Sequence, residues 1–187
     1  MSEAKGWHIA QAIPVLLSTT FIFFAVVTGV GGGTLRDLLI GAPVFWVHTN
    51  ATLLICIAAA LLVWAINRRR LAGSALLWFD AAGMAAYATY GSAKALGFGV
   101  APVPAFAMGV LTACVGGIIR DVLAGEPSIL MRPELYVTAA ALSAGLLVLL
   151  SLAGIAIWPA ATVAIAAGFT LRGLAIARGW SLPAYRD

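Results

Sequence analysis

Charged side chains are scarce in this sequence. There are 11 Lys or Arg and 7 Asp or Glu in 187 residues, 10% of the chain, where an ordinary soluble domain carries about 25%. Hydrophobic residues make up 63% and the mean hydropathy is +1.03. A single soluble core of this length has no room for so much apolar surface, so the sequence reads as an integral membrane protein in a lipid bilayer. Cysteine is nearly absent. Cys56 and Cys114 both lie inside apolar runs, which excludes a disulfide framework and gives neither thiol metal-ligand company. His8 and His48 flank apolar runs without a partner pattern and read as interface residues. No nucleophile–base pair, phosphate loop or carboxylate dyad stands out, so neither enzyme activity nor a cofactor nor a metal is expected. The net charge of +4 comes with no nucleic-acid-binding motif; it matches the arginine and lysine excess that membrane proteins keep on the cytoplasmic side. The N-terminus has little basic character and no clear small-residue cleavage site. A cleaved signal peptide is therefore not expected, and the first apolar run is expected to remain as an anchor.

What the chain has in abundance is long apolar runs. A helix needs about 20 apolar residues to cross the hydrocarbon, and six such stretches are present, near 8–30, 48–66, 76–97, 102–122, 134–153 and 157–176. All are expected to be helices, because the bilayer offers the backbone no other partner. Arg68-Arg69-Arg70, Arg132, Arg172, Arg178 and Arg186 fall on one side if the spans alternate, and the loops near 98–101 and 153–157 carry no charge. The positive-inside rule then puts the C-terminus in the cytoplasm. Trp7, Trp64, Trp78 and Trp180 fall near the inner interface, with Trp46 and Trp158 near the outer one.

Two short stretches repeat each other 84 residues apart, Gly32-Gly33-Thr34-Leu35-Arg36-Asp37 and Gly116-Gly117-Ile118-Ile119-Arg120-Asp121. Each is followed by the same trail, Leu39, Gly41, Pro43 and Leu123, Gly125, Pro127, and Thr28 and Thr112 match at the same offset. Self-similarity at a fixed period marks an internally duplicated fold. Three spans separate the copies, so they enter the membrane from opposite sides and the duplication is inverted, with a pseudo-two-fold axis in the membrane plane.

Glycine costs a helix about 1 kcal/mol relative to alanine. Gly31, Gly32 and Gly33, and Gly116 and Gly117, are therefore expected to loosen or kink their helices and free backbone groups for a hydrated path. Thr34 is then placed to cap a short helix resuming after the first break, with Pro43 and Pro127 limiting the short helices. The competing reading has these glycines permit close helix packing. Adjacent residues on a helix do not face each other, so inverted symmetry suggests cross-pairs, Arg36 with Asp121 and Arg120 with Asp37. These four ions either line a path or sit in water at the membrane surface. On the third span Asp80, Gly83, Tyr87, Gly91 and Lys94 share one helical face. That stripe reads either as a wall of an aqueous path or as two end residues snorkelling to the interfaces. The fifth and sixth spans hold few polar residues beyond Ser143, Ser151, Thr162 and Thr170 and read as packing helices or subunit contacts.

At these residues the chain resembles the prokaryotic members of the trimeric intracellular cation channel family, inner-membrane proteins built from two tandem copies of a domain labelled a glycine transporter. The matching pieces are Val30 to Leu39 with Pro43-Val44-Phe45-Trp46, Gly116 to Leu123 with Gly125-Glu126-Pro127, Asp80-Ala81-Ala82-Gly83, and the Gly91–Lys94 stretch, within a similarity over about residues 21 to 183. The resemblance implies an all-α membrane protomer of two inverted three-helix repeats plus a final helix. It implies a homotrimer with a pore for potassium and sodium ions inside each protomer. It also implies constrictions at the glycine-kinked helices, a gating role for Arg120, and Arg36 as its repeat mate. Asp37, Asp121, Asp80 and Lys94 complete the candidate pore and gating set. The whole chain, 1–187, is then one membrane domain, with a first repeat over 8–75, a second over 76–155, and a final helix and tail over 156–187. Six spans are visible where the family has seven; the missing one is the family's first, the mirror of residues 78–97. The first functional reading is a cation channel. The second is a secondary transporter of a small zwitterion such as glycine, its carboxylate at a helix N-terminus beside Arg36 or Arg120. A structural membrane subunit without transport is the third.

Overall fold

The structure, a computed structural model, describes residues 3–65, 74–126 and 135–181, with side chains described from residue 19 onward and not for residue 74. The basic run at 68–70, Arg132, Arg186 and Pro127 lie outside the described residues, as do the side chains of Trp7 and His8. Among the described residues six α-helices follow in order: α1 (Glu3–Leu39), α2 (Asn50–Ala65), α3 (Ser74–Gly97), α4 (Pro102–Ala124), α5 (Tyr136–Leu152) and α6 (Ile157–Arg178). They coincide with the six apolar stretches of the sequence. Three segments, Thr19–Leu39, Pro102–Ala124 and Ile157–Arg178, are long and apolar enough to cross a membrane, and α2 and α5 are shorter apolar helices.

The bundle is packed inside out relative to a soluble protein. Its fully buried positions are mostly alanine: Ala81, Ala85, Ala88 and Ala95 on α3, Ala105 on α4, Ala139, Ala140 and Ala144 on α5, and Ala160 and Ala164 on α6. Large apolar side chains such as Leu54, Ile55, Phe79, Val103, Leu149 and Trp158 point outward. Lipid tails are as apolar as leucine, so burying leucine gains little, and close approach through small residues holds such helices together. α4 sits at the centre, packed on α1, α3 and α5; α3 also packs on α5 and α6, and α2 packs on α1.

The trailing half of the repeated motif is a helix stop. Gly41 and Gly125 both adopt left-handed backbone angles, φ 67° and 68°. Ala42 N–H donates to Asp37 O at 2.8 Å, and at the equivalent place Glu126 N–H donates to Asp121 O at 2.9 Å. Each copy therefore closes with the same glycine C-cap.

The leading half corrects the sequence expectation. α1 runs unbroken through Gly31, Gly32 and Gly33, and α4 through Gly116 and Gly117, so no carbonyls are released there. Thr34 caps nothing. It sits inside α1, where its hydroxyl donates to Val30 O at 2.7 Å and accepts from Trp46 Nε1 at 2.8 Å. Helix contact explains the glycines. A Cβ on Gly32 would run into the carbonyl of Thr112, and a Cβ on Gly116 would run into the carbonyl of Thr28. The two contacts map onto each other by the 84-residue offset, so α1 and α4 cross antiparallel about a pseudo-dyad passing between Val30 and Cys114. The lost helix propensity, about 1 kcal/mol per glycine, is exchanged for backbone-to-backbone approach.

Candidate functional site

Three helices meet along the seam that the stripe on α3 faces. At its centre stands Thr112 of α4. Its carbonyl lies where Gly32 of α1 leaves room, and its side chain lies where Gly91 of α3 leaves room, Oγ1 standing 2.5 Å from where a Gly91 Cβ would be. The Thr112 hydroxyl donates to Met108 O at 2.6 Å, so its polar atom is satisfied inside its own helix. Gly32 and Gly91 thus let α1 and α3 each close onto α4 at Thr112, a pinch centred on that residue.

On the Asp80 side of this pinch a cavity of about 130 Å³ opens. Thr28 and Gly29 of α1 line it, with Asp80, Gly83, Met84 and Tyr87 of α3. Thr112, Ala113, Gly117 and Arg120 of α4 and Tyr136 of α5 complete the lining. A volume of that order holds several waters. Asp80 and Arg120 bring opposite charges to the same space, and the Arg120 side chain is 41% exposed.

On the other side of the pinch lies a buried ionic cluster. Asp37 Oδ1 accepts from Arg36 Nε at 2.9 Å, from Arg36 Nη2 at 2.7 Å and from Lys94 Nζ at 2.7 Å. Its Oδ2 accepts from the backbone N–H of Phe45 at 3.0 Å. The Arg36 guanidinium lies over the ring of Tyr90 at 5.0 Å and near that of Phe45 at 6.0 Å. Asp37 therefore ties α1, α3 and the 40–49 loop together. Lys94 and Asp80 are fourteen residues apart on α3, so cluster and cavity mouth stand roughly 21 Å apart along the helix.

The expected cross-pairs do not form. Each arginine pairs with its own neighbour: Arg36 with Asp37, and Arg120 Nη2 with Asp121 Oδ1 at 2.8 Å. Two reasons are visible. The Cβ atoms of neighbours diverge, but an arginine arm is long enough to turn back and present Nε and Nη2 to one carboxylate oxygen, and it does so identically in both copies. The antiparallel crossing also sets Arg36 level with position 108 of α4, about 20 Å along the axis from Asp121. The surface reading is corrected for three of the four ions: Arg36, Asp37 and Asp121 are buried, and only Arg120 is substantially exposed.

The stripe on α3 is split between the two sites. Asp80, Gly83 and Tyr87 face the cavity, Gly91 makes the pinch, and Lys94 joins the cluster. Two residues escaped the sequence reading. Thr112 was visible only as a match at the repeat offset, and its place between two glycines follows from the crossing. Arg172 looked like a cytoplasmic flanking charge; it is 4% exposed on α6, with its guanidinium over the Tyr136 ring at 5.4 Å. The last helix therefore brings a charge to the cavity's Tyr136 wall instead of serving packing alone. Cys114 is buried and Cys56 half-buried, and both thiols are free. Among the described residues no group of side chains is arranged to hold a metal.

Comparison with known proteins agrees with this architecture. A family profile described as Glycine transporter matches residues 10–68 and 77–152, one match on each side of the pseudo-dyad. The UPF0126 membrane protein of Vibrio cholerae is 47% identical over 118 residues, 62% of this chain and 49% of that protein. The UPF0126 inner membrane protein YadS of Escherichia coli is 41% identical over 121 residues, 63% of this chain and 58% of that protein. The chain thus spans about half the length of the curated relatives it matches. The solved structure of the TRIC trimeric intracellular cation channel orthologue from Rhodobacter sphaeroides superposes with a TM-score of 0.73 at 36% identity, covering 90% of this chain and 99% of that one. A second structure, of a TRIC cation channel, shares the fold with a TM-score of 0.77 at 24% identity. These neighbours are channels, not enzymes. An all-helical membrane bundle, an inverted glycine-arginine-aspartate repeat and a profile matching both halves lead to one statement: the chain belongs to the Glycine transporter family of membrane proteins, whose fold is that of the prokaryotic TRIC cation channels.

Proposed function

We propose that this protein is a monovalent cation channel, conducting potassium and sodium through a pore inside each protomer, and that the structure is its closed state. The observation that carries the reading is the seam between α1, α3 and α4. A cavity bearing Asp80 and Arg120 lies on one side, a buried cluster of Arg36, Asp37 and Lys94 on the other, and the Gly32–Thr112–Gly91 contact lies between them. The carboxylate of Asp80 draws cations into the cavity. Gly32 and Gly116 hold α1 tightly on α4, and α3 meets Thr112 through Gly91, so opening requires α3 to part from Thr112 by a small rigid-body shift. Arg120 at the cavity and Arg36 beyond the pinch raise a barrier to cations, which suits gating better than selectivity. The structural neighbours named as TRIC channels support the same function, and their printed description as trimeric supports a homotrimer. The relative named as an inner membrane protein supports a cell-membrane location, and the positive-inside rule favours a cytoplasmic C-terminus.

The test is a planar-bilayer recording from purified protein in potassium and then in a bulky impermeant cation. Unitary ohmic currents in potassium alone are expected, and Arg120→Ala is expected to alter open probability or conductance. Unchanged single-channel behaviour in that variant would remove Arg120 from gating. One observation favours a second reading: Asp80 and Arg120 set opposite charges on one cavity of about 130 Å³, a match for a small zwitterion such as glycine. Saturable, substrate-selective uptake without unitary events would select that transporter.

A further inference from the structure

Among the described residues, α6 reaches the cavity through one ring. Tyr136, the first residue of α5, lines the cavity and is 6% exposed. Arg172 of α6 is 4% exposed and does not line the cavity; its guanidinium lies over the Tyr136 ring at 5.4 Å. The ring therefore has a buried cation on one side and open space on another. Two glycines set α6 in that register: Gly168 admits Ser143 of α5, and Gly173, next to Arg172, admits Trp78 of α3. An arginine keeps its charge even when buried, and a cation attracts an aromatic face most strongly where water is excluded. The other neighbours grip the ring less directionally. It belongs to an apolar cluster with Met84, Cys114, Ala139 and Ala140, side chains that are small or flexible. The N-cap residue Leu135 makes no side-chain hydrogen bond.

We propose that Arg172 is a positioning residue, which holds the Tyr136 ring back against the cavity wall and so keeps the cavity open. With the cation removed, the open space adjoining the ring is the cavity of about 130 Å³, whose lining offers Asp80 and two threonines to a phenol hydroxyl. The ring then turns into that space and fills it. The consequence for conduction rests on the cation-channel reading above: Arg172 acts on potassium flow through Tyr136, not through its own charge. The two routes have opposite signs. Loss of a positive charge near a cation path raises cation conductance, whereas a ring turned into the path lowers it.

The experiment has two arms. In the first, Gly83→Cys places a thiol in the cavity of a protein whose Cys56 and Cys114 are replaced by alanine. Its reaction rate with methyl methanethiosulfonate, a small uncharged reagent, is measured in detergent. In the second, unitary potassium conductance is recorded in planar bilayers without the added cysteine. Arg172→Leu, with Arg172→Met as the longer alternative should the first not fold, is expected to lower both readings severalfold. Arg172→Lys keeps a cation over the ring and is expected to stay near the native values. In a Tyr136→Ala background, Arg172→Leu is expected to lower neither. Native rates and native unitary conductance in Arg172→Leu would overturn the proposal, as would fewer channels of native conductance, the mark of a purely structural role. A raised conductance with an unchanged rate would also overturn it and assign Arg172 a direct electrostatic role. A slower thiol reaction in Arg172→Leu, where the native protein passes no current, would leave the positioning role standing and sink the channel reading instead.

Discussion

Single residues decide whether this bundle closes. Gly32 and Gly117 are helical glycines in opposite copies of the motif, yet their surroundings differ. A methyl group on Gly32 meets the Thr112 carbonyl, which cannot turn aside, whereas the nearest atom to one on Gly117 is the flexible end of Arg120 at 4.0 Å. Gly32→Ala is therefore expected to destabilise the protein by about 1–3 kcal/mol, and Gly117→Ala to be neutral or to stabilise it by up to about 1 kcal/mol. Thermal unfolding in detergent compares the two directly; equal losses would contradict the crossing geometry. The charges differ in the same way. Asp37→Asn leaves the buried Arg36 and the partly buried Lys94 without their shared carboxylate, at an expected cost of about 3–5 kcal/mol. Arg120→Ala removes a side chain that is 41% exposed, and is expected to cost about 0–1 kcal/mol. Denaturation curves of these two variants check the contrast. The sequence made all of these residues conspicuous but paired the ions wrongly. Neighbouring side chains leave a helix in different directions, and the reach of an arginine arm overrides that divergence.

At the scale of elements, the sequence was read well where chemistry is local and poorly where it depends on a neighbour. Apolar runs located all six helices, because length and hydropathy are properties of each segment alone. The trail of Gly41-x-Pro43 and Gly125-x-Pro127 is a stop signal with a local cause, a left-handed glycine closing the last turn. The glycines upstream look the same in composition but have a different cause. Whether Gly32 breaks a helix or admits another depends on what lies against it, and only the fold supplies the Thr112 carbonyl. Arg172 of α6 was misread for the same reason, since nothing local says that it packs over Tyr136. The stripe on α3 was legible because its spacing is helical, but its division by the pinch at Gly91 was not. One consequence belongs to this scale. Gly83 faces the cavity with no atom within 4 Å of where its Cβ would stand. Gly83→Leu is expected to fold with a melting temperature near the native one while filling the cavity.

For the whole molecule, an alanine core inside a leucine and tryptophan surface makes sense only with lipid as the solvent, where small residues set the approach of helices. The inverted repeat adds a second property. Equivalent residues occupy opposite ends of one crossing, so its two ends carry two chemically different sites. One is a cavity lined by a part-exposed arginine; the other is an ionic cluster held by Lys94, a residue outside the repeated motif. That asymmetry gives a near-symmetric fold a direction, and it suits a valve with one open side. Detergent-purified protein is expected to run as a trimer by light scattering.

The most direct test of a cation path along this seam is a comparison of potassium currents through the native protein and Gly83→Leu in planar bilayers, each at matched thermal stability. The account predicts unitary potassium currents from the native protein and their loss or steep reduction in the filled variant. Native-sized currents from a stably folded Gly83→Leu would place the path elsewhere and contradict it.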